Sequence, residues 1–516
     1  MSEKLFKSTA VVSSMTFLSR ILGFIRDIVI ARLFGAGMGT DVFFVAFKIP
    51  NFLRRLFAEG AFSQAFIPVL AEYREKGDGD LKSLIAATSG TLASILFIIT
   101  AIGVIAAPLI IMVFAPGFID EPEKLDLASD LLKITFPYLF FISLTALAGS
   151  ILNSFGQFAV PAFTPVFLNI ALIGSAIWLS PYFDQPVTAL AWGVFIGGVI
   201  QLLFQIPFLI GIKQLPRPRW NTQNSGVKKI FKLMVPAMFG VSVSQINLLL
   251  DTLLASFLVT GSISWLYYSD RLVEFPLGVF GIALATVILP SLSKKHASAS
   301  ANAFSNTIDW ALRWVFIIAT PAALGLIFLA EPLLLTLFQY GAFTSEHAYQ
   351  ASLSLMAYGL GLLPFIFIKV LAPGYYARQD TKTPVKIGII AMVVNMVLNI
   401  ILMLQFAHVG LALATALSAA LNAGMLYRGL RKEGVYQPRT GWMRFSLKLL
   451  LPNLGLLMTL YWLNPNLTQW LAASGWDRSL MLLGVIAAAA AVYFVLLRLV
   501  GIRIRQLLKP MPTDIN

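Results

Sequence analysis

Two apolar stretches near the start of the chain, residues 12–34 and 40–71, carry Arg20, Arg26, Asp27, Asp41, Lys48, Arg54, Arg55 and Glu59. A charge at the centre of a membrane-spanning helix costs about 2.5–3.5 kcal/mol on insertion scales, so this set cannot face lipid. Arg32, near a helix end, can snorkel to an interface. The others fall into stripes. Asp41, Lys48 and Arg55 recur every seven residues, with Glu59 four further on, and Arg20 shares a helix face with Asp27. Such stripes are expected to line a water-filled cavity, with five basic and three acidic groups in this set. Arginine presents a planar donor fork that matches phosphate oxygens in pairs, so a wet, net-positive cavity suits a pyrophosphate. The alternative is that the charges pair across helices and fix packing, with Arg54 and Arg55 the residues best suited to a membrane interface. Later in the chain Asp270, Arg271 and Glu274 cluster on one span, Lys369 sits in another, and Asp251 lies mid-span.

Other chemistries are excluded. There is no cysteine, so disulfides and thiolate metal sites are ruled out, and the three histidines (His296, His347, His408) show no ligand spacing. Nucleophile-elbow, zinc-protease and phosphate-loop motifs are missing, and no loop is long enough to house a catalytic domain. The expectation is that the chain is not an enzyme. The net charge of +14 could suggest nucleic acid, but its distribution reads as membrane topology, and no nucleic-acid partner is expected.

The elements that must position these charges are helices. The chain has 516 residues, of which 58% are hydrophobic and 12% charged, about half the charge of a soluble protein. The fold class expected is an all-α polytopic membrane protein of about fourteen spans. They lie near 12–34, 40–71, 84–114, 129–154, 160–182, 187–212, 228–258, 263–292, 309–338, 348–374, 384–406, 409–430, 442–463 and 478–500. Pro50 and Gly60 should bend or break the second. The first helix has no cleavage site and reads as retained. Basic residues collect at Lys4 and Lys7, in the even-numbered loops (Arg74, Lys76, Lys82; Lys213, Arg217, Arg219, Lys228, Lys229, Lys232; Lys294, Lys295; Arg378, Lys382, Lys386; Arg428, Arg431, Lys432, Arg439, Arg444) and in the tail at Arg503, Arg505 and Lys509. The fourth loop has none and is uninformative, and the third is acidic. Positive charge marks the cytoplasmic side, so both termini are expected inside.

The first twelve spans read as a six-helix unit used twice. Gly39 matches Gly261 and Pro68-Val69-Leu70 matches Pro290-Ser291-Leu292, both offset by 222. Gly117 matches Gly341 at 224, Thr164-Pro165-Val166 matches Thr383-Pro384-Val385 at 219, and Ala189-Leu190-Ala191 matches Ala412-Leu413-Ala414 at 223. A parallel duplication of this kind is a transporter arrangement. The expected domains are residues 1–215 (helices 1–6), 216–435 (helices 7–12) and 436–516 (two additional helices and a tail).

Several segments resemble the MurJ (MviN) family of lipid II flippases. They are Ser19-Arg20-Ile21-Leu22-Gly23-Phe24-Ile25-Arg26-Asp27; Thr40-Asp41 with Phe43-Phe44-Val45-Ala46-Phe47-Lys48-Ile49-Pro50-Asn51 and Arg54-Arg55; and Ala58-Glu59-Gly60-Ala61-Phe62-Ser63-Gln64-Ala65-Phe66. Further on stand Tyr267-Tyr268-Ser269-Asp270-Arg271 with Glu274-Phe275-Pro276, Lys369-Val370-Leu371-Ala372-Pro373-Gly374, and Arg378-Gln379-Asp380-Thr381-Lys382-Thr383-Pro384-Val385-Lys386. The resemblance spans nearly the whole chain. It implies the fold of the multidrug/oligosaccharidyl-lipid/polysaccharide exporter superfamily, with two six-helix lobes and two extra helices that form a groove for a polyprenyl tail. It implies a bacterial inner-membrane protein that moves lipid II to the outer leaflet for peptidoglycan assembly. Lipid II, membrane lipids and peptidoglycan-synthesis proteins are the partners it implies. Arg20, Arg26, Asp41, Arg54, Arg55 and Arg271 match cavity residues of the family.

Members of the family have been described with a sodium site in the second lobe. By position Asp251, Asn395, Asn399 and Thr415 are the candidate ligands, Asn395 and Asn399 being one helical turn apart. A hard cation wants several oxygens and at least one charge, which Asp251 supplies. The alternative for these residues is a polar interhelical clamp. No other cofactor is expected. Two rival functions stand beside the flippase: a drug or polysaccharide exporter of the same fold, and a non-transporting scaffold for cell-wall enzymes. Hydrophobic-cation export would want acids in the first lobe, and a scaffold would tolerate loss of Arg20 or Arg271.

Overall fold

The computed structural model describes residues 3–298 and 300–502, without the side chains of 3–10, 57–59, 239–244, 248, 282–283 and 285–286. The side chain of Glu59 and the tail residues Arg503, Arg505 and Lys509 therefore lie outside the described residues. Among the described residues the secondary structure is helical throughout. The elements are α1 (Glu3–Phe34), α2 (Met38–Leu53), α3 (Ser63–Lys76), α4 (Asp78–Ile105), α5 (Ala107–Phe114), α6 (Pro122–Thr135), α7 (Tyr138–Ser154), α8 (Ala159–Phe163), α9 (Pro165–Gly174) and α10 (Thr188–Gly211). There follow α11 (Ser225–Ala255), α12 (Ser262–Pro276), α13 (Ile282–Ala297), α14 (Ala301–Phe328), α15 (Ala330–Leu337), α16 (Ser345–Tyr376), α17 (Lys382–Lys432), α18 (Trp442–Leu463), α19 (Leu467–Ala472) and α20 (Gly475–Leu499).

Nine helical stretches among the described residues are long and apolar enough to cross a membrane. One of them, α17, holds two expected spans. A straight helix would put Asn395 and Ser418 about 35 Å apart, yet the Asn395 amide donates to the Ser418 hydroxyl at 3.3 Å. The chain therefore reverses within α17, and the turn falls at Ala407, whose φ of 48° and ψ of −130° are not helical. The expected spans that fall outside the nine are 12–34, 40–71, 228–258 and 263–292. Each is helical, as α1, α2 with α3, α11, and α12 with α13. Charge keeps the first and second of these below the apolarity of a lipid-facing span, and the third and fourth include residues whose side chains are not described. Length and apolarity alone thus do not establish the count of fourteen.

The duplication is visible in the element boundaries. A π-helical segment follows α2 at Arg54–Phe62, and another follows α12 at Leu277–Gly281, starting 223 residues later. The helices beginning at Asp78, Ala107 and Pro122 recur at Ala301, Ala330 and Ser345, each again 223 residues on. The second span was expected to bend at Pro50 and Gly60. It runs helically through Pro50 and widens into the π segment that contains Gly60. The matched glycines have a steric reason. A Cβ on Gly117 would lie 2.2 Å from the carbonyl oxygen of Ser256, just past α11, and one on Gly341 would lie 2.3 Å from that of Arg32, near the end of α1. Gly341 also has φ of +60°, a conformation that favours glycine.

The contacts group the described chain into two compact units, Met1–Ser264 with Tyr340–Phe343, and Trp265–Gln339 with Thr344–Asn516. In the first, α1 packs on α8 and α9, α10 on α7 and α9, and α11 on α3 and the 54–62 segment. The basic connection 212–224 is strapped to α4, with the Arg219 amide donating to the Ala86 carbonyl at 3.0 Å. In the second, α16 packs on α14 and α17, while α18 and α20 pair with each other and rest on α14 and α15. The contact units and the sequence repeats are different partitions, because α11, the first helix of the second repeat, packs with the first unit.

Candidate functional site

On α1 the Arg26 guanidinium donates to the Asp27 carboxylate from Nε at 2.9 Å and from Nη2 at 2.6 Å, and to Asn169 Oδ1 of α9 at 3.1 Å. The Asn169 amide donates onward to the Ser19 carbonyl at 3.1 Å. Both charged side chains are buried, at 9% and 2% exposure. This is a paired, desolvated ion pair that locks α1 to α9, not the water-facing stripe expected of these two residues. Burial without a partner would cost several kcal/mol per ion, which is why the pair is satisfied on both sides.

Asp41 differs from expectation in the same way. It is buried, and its carboxylate accepts from the amides of Gly261 at 2.6 Å and Ser264 at 2.8 Å and from the Ser264 hydroxyl at 2.6 Å. It caps the N-terminus of α12, whose first amides have no intrahelical acceptor. Asp41, Lys48 and Arg55, expected on one stripe, do not share one environment, and Arg55 falls in the π segment that follows α2. Lys48 is half-buried and donates to the Thr252 hydroxyl at 2.5 Å, whereas Arg55 is exposed.

The groups that present charge outward are Arg20 and Arg55, both exposed, and Arg54, half-buried with Nε donating to Asn51 Oδ1 at 3.2 Å. Arg54 and Arg55 open the π segment 54–62, whose widened turn changes the angle at which successive side chains leave the helix; such segments are frequent at functional sites. Of these charged groups, Arg20, Arg54 and Arg55 face outward, whereas Arg26, Asp27 and Asp41 are turned inward onto protein partners. Those two carboxylates are positioning groups. They would repel a diphosphate, and their oxygens are already engaged.

In the second unit Arg271 lies on α12. Its guanidinium donates to Glu274 Oε2 at 2.6 Å and to the Tyr267 hydroxyl at 3.2 Å, and stands 4.8 Å from the centre of the Tyr267 ring. Arg271 and Glu274 are 34% and 49% exposed, so neither is sealed inside the protein. Asp270 is half-buried, and Lys369 of α16 is exposed.

The polar cluster on α17 is internally bonded. Asn399 donates to Asn395 Oδ1 at 3.0 Å, Asn395 to Ser418 Oγ at 3.3 Å, and the Thr415 hydroxyl to the Leu411 carbonyl at 3.1 Å. These donors are neutral, and Asp251 belongs to the other unit. No group of three or more His, Asp or Glu able to hold a metal occurs among the described residues. By itself the α17 set fits a clamp across the helical reversal, not an ion cage.

Three features of the second unit were not anticipated. Asp309 accepts from Arg313 Nε at 2.9 Å, Trp442 Nε1 at 2.7 Å, Tyr436 Oη at 3.0 Å and the Arg439 amide at 3.2 Å. Buried Arg478 donates to the carbonyls of Trp470 at 2.7 Å, Leu471 at 3.1 Å and Leu335 at 3.3 Å. The Trp265 ring lies against His347 and His408. Asp309 and Arg478 begin expected spans, and a charge at a span boundary looks like a boundary marker. The i,i+4 pair Asp309/Arg313 was the available signal.

An all-helical bundle with a duplicated helix order and cationic side chains on its helices is a membrane transporter by class. The fold is shared with a solved inward-facing multidrug resistance MATE family transporter of the MOP superfamily, at TM-score 0.64 and 14% identity over 83% of this chain and 98% of that one. A family model described as "Lipid II flippase MurJ" matches residues 30–479. The "Probable lipid II flippase MurJ" of Vibrio cholerae is 54% identical over 98% of both chains, and the "Lipid II flippase MurJ" of Burkholderia cenocepacia is 43% identical over 97% of this chain and 98% of that one. A solved structure titled "Lipid II flippase MurJ, inward closed conformation" matches at TM-score 0.81 and 29% identity over 97% of this chain and all of that one. The chain belongs to the MurJ lipid II flippase family.

Proposed function

We propose that this protein translocates lipid II, the undecaprenyl-diphosphate-linked peptidoglycan precursor, from the cytoplasmic to the periplasmic leaflet of the bacterial inner membrane by alternating access. The observation that carries the reading is end-to-end similarity, at 54% identity, to a relative described as a probable lipid II flippase. The chemistry supports it. Arg20, Lys48, Arg54 and Arg55 supply donors for a diphosphate, Arg271 supplies another in the second unit, and Arg26 holds α1 in place for them. The polyprenyl tail remains in lipid along α18 and α20, whose Leu447, Leu451, Leu454, Met458, Leu483 and Phe494 are exposed.

Both termini are cytoplasmic in this reading, on the strength of the basic even-numbered loops. A membrane potential negative inside then favours outward movement of the anion by about 2.3 kcal/mol per charge per 100 mV. Transport, not bond chemistry, is the activity, exercised beside the enzymes of peptidoglycan synthesis. The sodium ion expected at Asp251, Asn395, Asn399 and Thr415 enters no step. Its test is sodium-dependent stabilisation of the purified protein that Asp251→Asn abolishes. The flippase reading is tested by depleting the protein in its host and measuring lipid II accessible from outside the cell. Accessible lipid II should collapse and return with the wild-type chain but not with Arg20→Ala; unchanged accessibility would overturn it.

A further inference from the structure

Between α10 and α11 the chain runs without helix through residues 212–224. This strap is fastened along α4 at three points. Gln214 Nε2 donates to Asp78 Oδ1 at 3.1 Å, the Arg219 amide to the Ala86 carbonyl at 3.0 Å, and the Asn221 amide to the Thr91 hydroxyl at 3.3 Å. Gly90 gives it room, since a Cβ there would lie 2.4 Å from the backbone of Arg219. Pro216 and Pro218 disfavour helix at themselves and at the residues before them, Leu215 and Arg217. The backbone is thus held to the protein while most of the side chains are left outside it. Gln214 is buried, but Lys213, Arg217 and Arg219 are exposed, and so are Leu215 at 45% and Trp220 at 59%. Among the described residues, no protein group accepts a hydrogen bond from the charged ends of Lys213, Arg217 or Arg219.

The fastening points give the strap a level. α4 is apolar and long enough to cross a membrane, and its charged end carries Asp78, Asp80 and Lys82. From Asp78 to Thr91 is about 20 Å of helix. Ala86 and Thr91 fall just inside the expected span 84–114, so the strap descends from the charged end of α4 to the edge of the hydrocarbon. Tryptophan is favoured at that level, where its ring meets lipid and its N–H meets headgroups. The charge there has one sign. Residues 72–82 and 212–232, which meet at this end of the unit, hold nine bases against four acids. Of those acids, Glu72 is already paired with Lys229 and Asp78 with Lys82. An acidic protein partner would match the bases but not the placing of Leu215 and Trp220 beside a spanning helix. We infer that the strap is a docking surface for anionic phospholipid headgroups. Lys213, Arg217 and Arg219 take headgroup oxygens, and Leu215 and Trp220 sit in the interfacial layer. The leaflet concerned is the cytoplasmic one, an assignment that rests on the orientation of the flippase reading. The link between the two repeats is then part of the membrane surface, and lipid charge sets the level of the first unit in the bilayer.

The sequence has no cysteine, so Leu215→Cys carries an environment-sensitive fluorophore at one known place. The labelled full chain is put into nanodiscs of phosphatidylcholine, or of an equal mixture of phosphatidylcholine and phosphatidylglycerol. Docking is read as quenching by a nitroxide on the lipid, set against quenching by iodide in the water. With phosphatidylglycerol present the emission should shift to the blue and the lipid-borne nitroxide should quench it. With phosphatidylcholine alone both effects should be much smaller. Each base near an anionic surface is worth about fivefold in the ratio of docked to free strap, so Lys213→Gln, Arg217→Gln and Arg219→Gln together should lower that ratio on the order of a hundredfold. The melting temperature should not change, because the groups removed have no protein partner. If the triple variant does not fold, the comparison of the two lipids with the labelled parent chain decides by itself. The same label environment in both lipids, quenching by iodide alone, or a triple variant that keeps the full response to phosphatidylglycerol would overturn the inference. A nanodisc shows the same lipids on both faces and here holds no polyprenyl lipid. The result therefore depends neither on the orientation of the chain nor on translocation, and its failure is separate from failure of the flippase reading.

Discussion

Two arginine–carboxylate pairs, one in each repeat, sit in opposite environments. Arg26 and Asp27 are sealed between α1 and α9, with Asn169 closing the network. Arg271 and Glu274 share the surface of α12 with Tyr267 and remain exposed. The geometry of the two pairs is alike, with a closest approach of 2.6 Å in each. Burial is what separates them. A sealed pair cannot exchange its partner without a large desolvation cost, so it serves structure. An exposed pair gains little from its partner and can trade a carboxylate for a phosphate. Charge inside a membrane protein therefore does not by itself mark the substrate path; the exposure of that charge does.

That contrast can be broken most forcefully at Asp27. Asp27→Ala removes the carboxylate paired with the buried Arg26 guanidinium, and a loss of about 3–5 kcal/mol is expected. Thermal unfolding in detergent measures it, and replacing Arg26 and Asp27 together with apolar residues should recover most of the loss. Unaltered stability in the single variant would mean that the pair is not sealed. Arg271→Ala comes next. It should leave the melting temperature close to wild type and abolish growth support in a depleted host, because on the proposed reading the group lost is a donor to the diphosphate and not a packing element. If this variant unfolds instead, the two pairs are of one kind. The smallest effect belongs to Glu274→Gln, which should change stability by less than about 1 kcal/mol and leave function intact. A severe transport defect from that change would give Glu274 a role beyond holding Arg271 at rest.

Much of the architecture was legible before any coordinate. The repeat spacing of 222–224 residues read from Gly39/Gly261 and Gly117/Gly341 reappears as the 223-residue recurrence of helix starts and π segments. Glycines at 117 and 341 were readable because a backbone carbonyl leaves no room for a side chain. The interruption near Gly60 was readable from Pro50 and Gly60, although its form, a π segment starting at Arg54, was not. The candidate site was legible in residue type, but not in burial. The members of the heptad Asp41, Lys48 and Arg55 pass from a capping carboxylate to a half-buried ammonium to an exposed guanidinium. Asp309 escaped notice because its four donors come partly from a loop more than a hundred residues away.

Local order along the chain determined which segments are helices, how often the pattern repeats, and that charge must be hidden from lipid. These follow from periodicity and from the cost of polar groups in hydrocarbon, both of which depend only on which residue follows which. The tertiary structure alone decided which charges are buried against protein partners and which stay exposed. Asn169 reaches Arg26 across 143 residues and Gly261 reaches Asp41 across 220. Such partners have no signature in sequence spacing, because a hydrogen bond is set by distance in space and by how far water can follow.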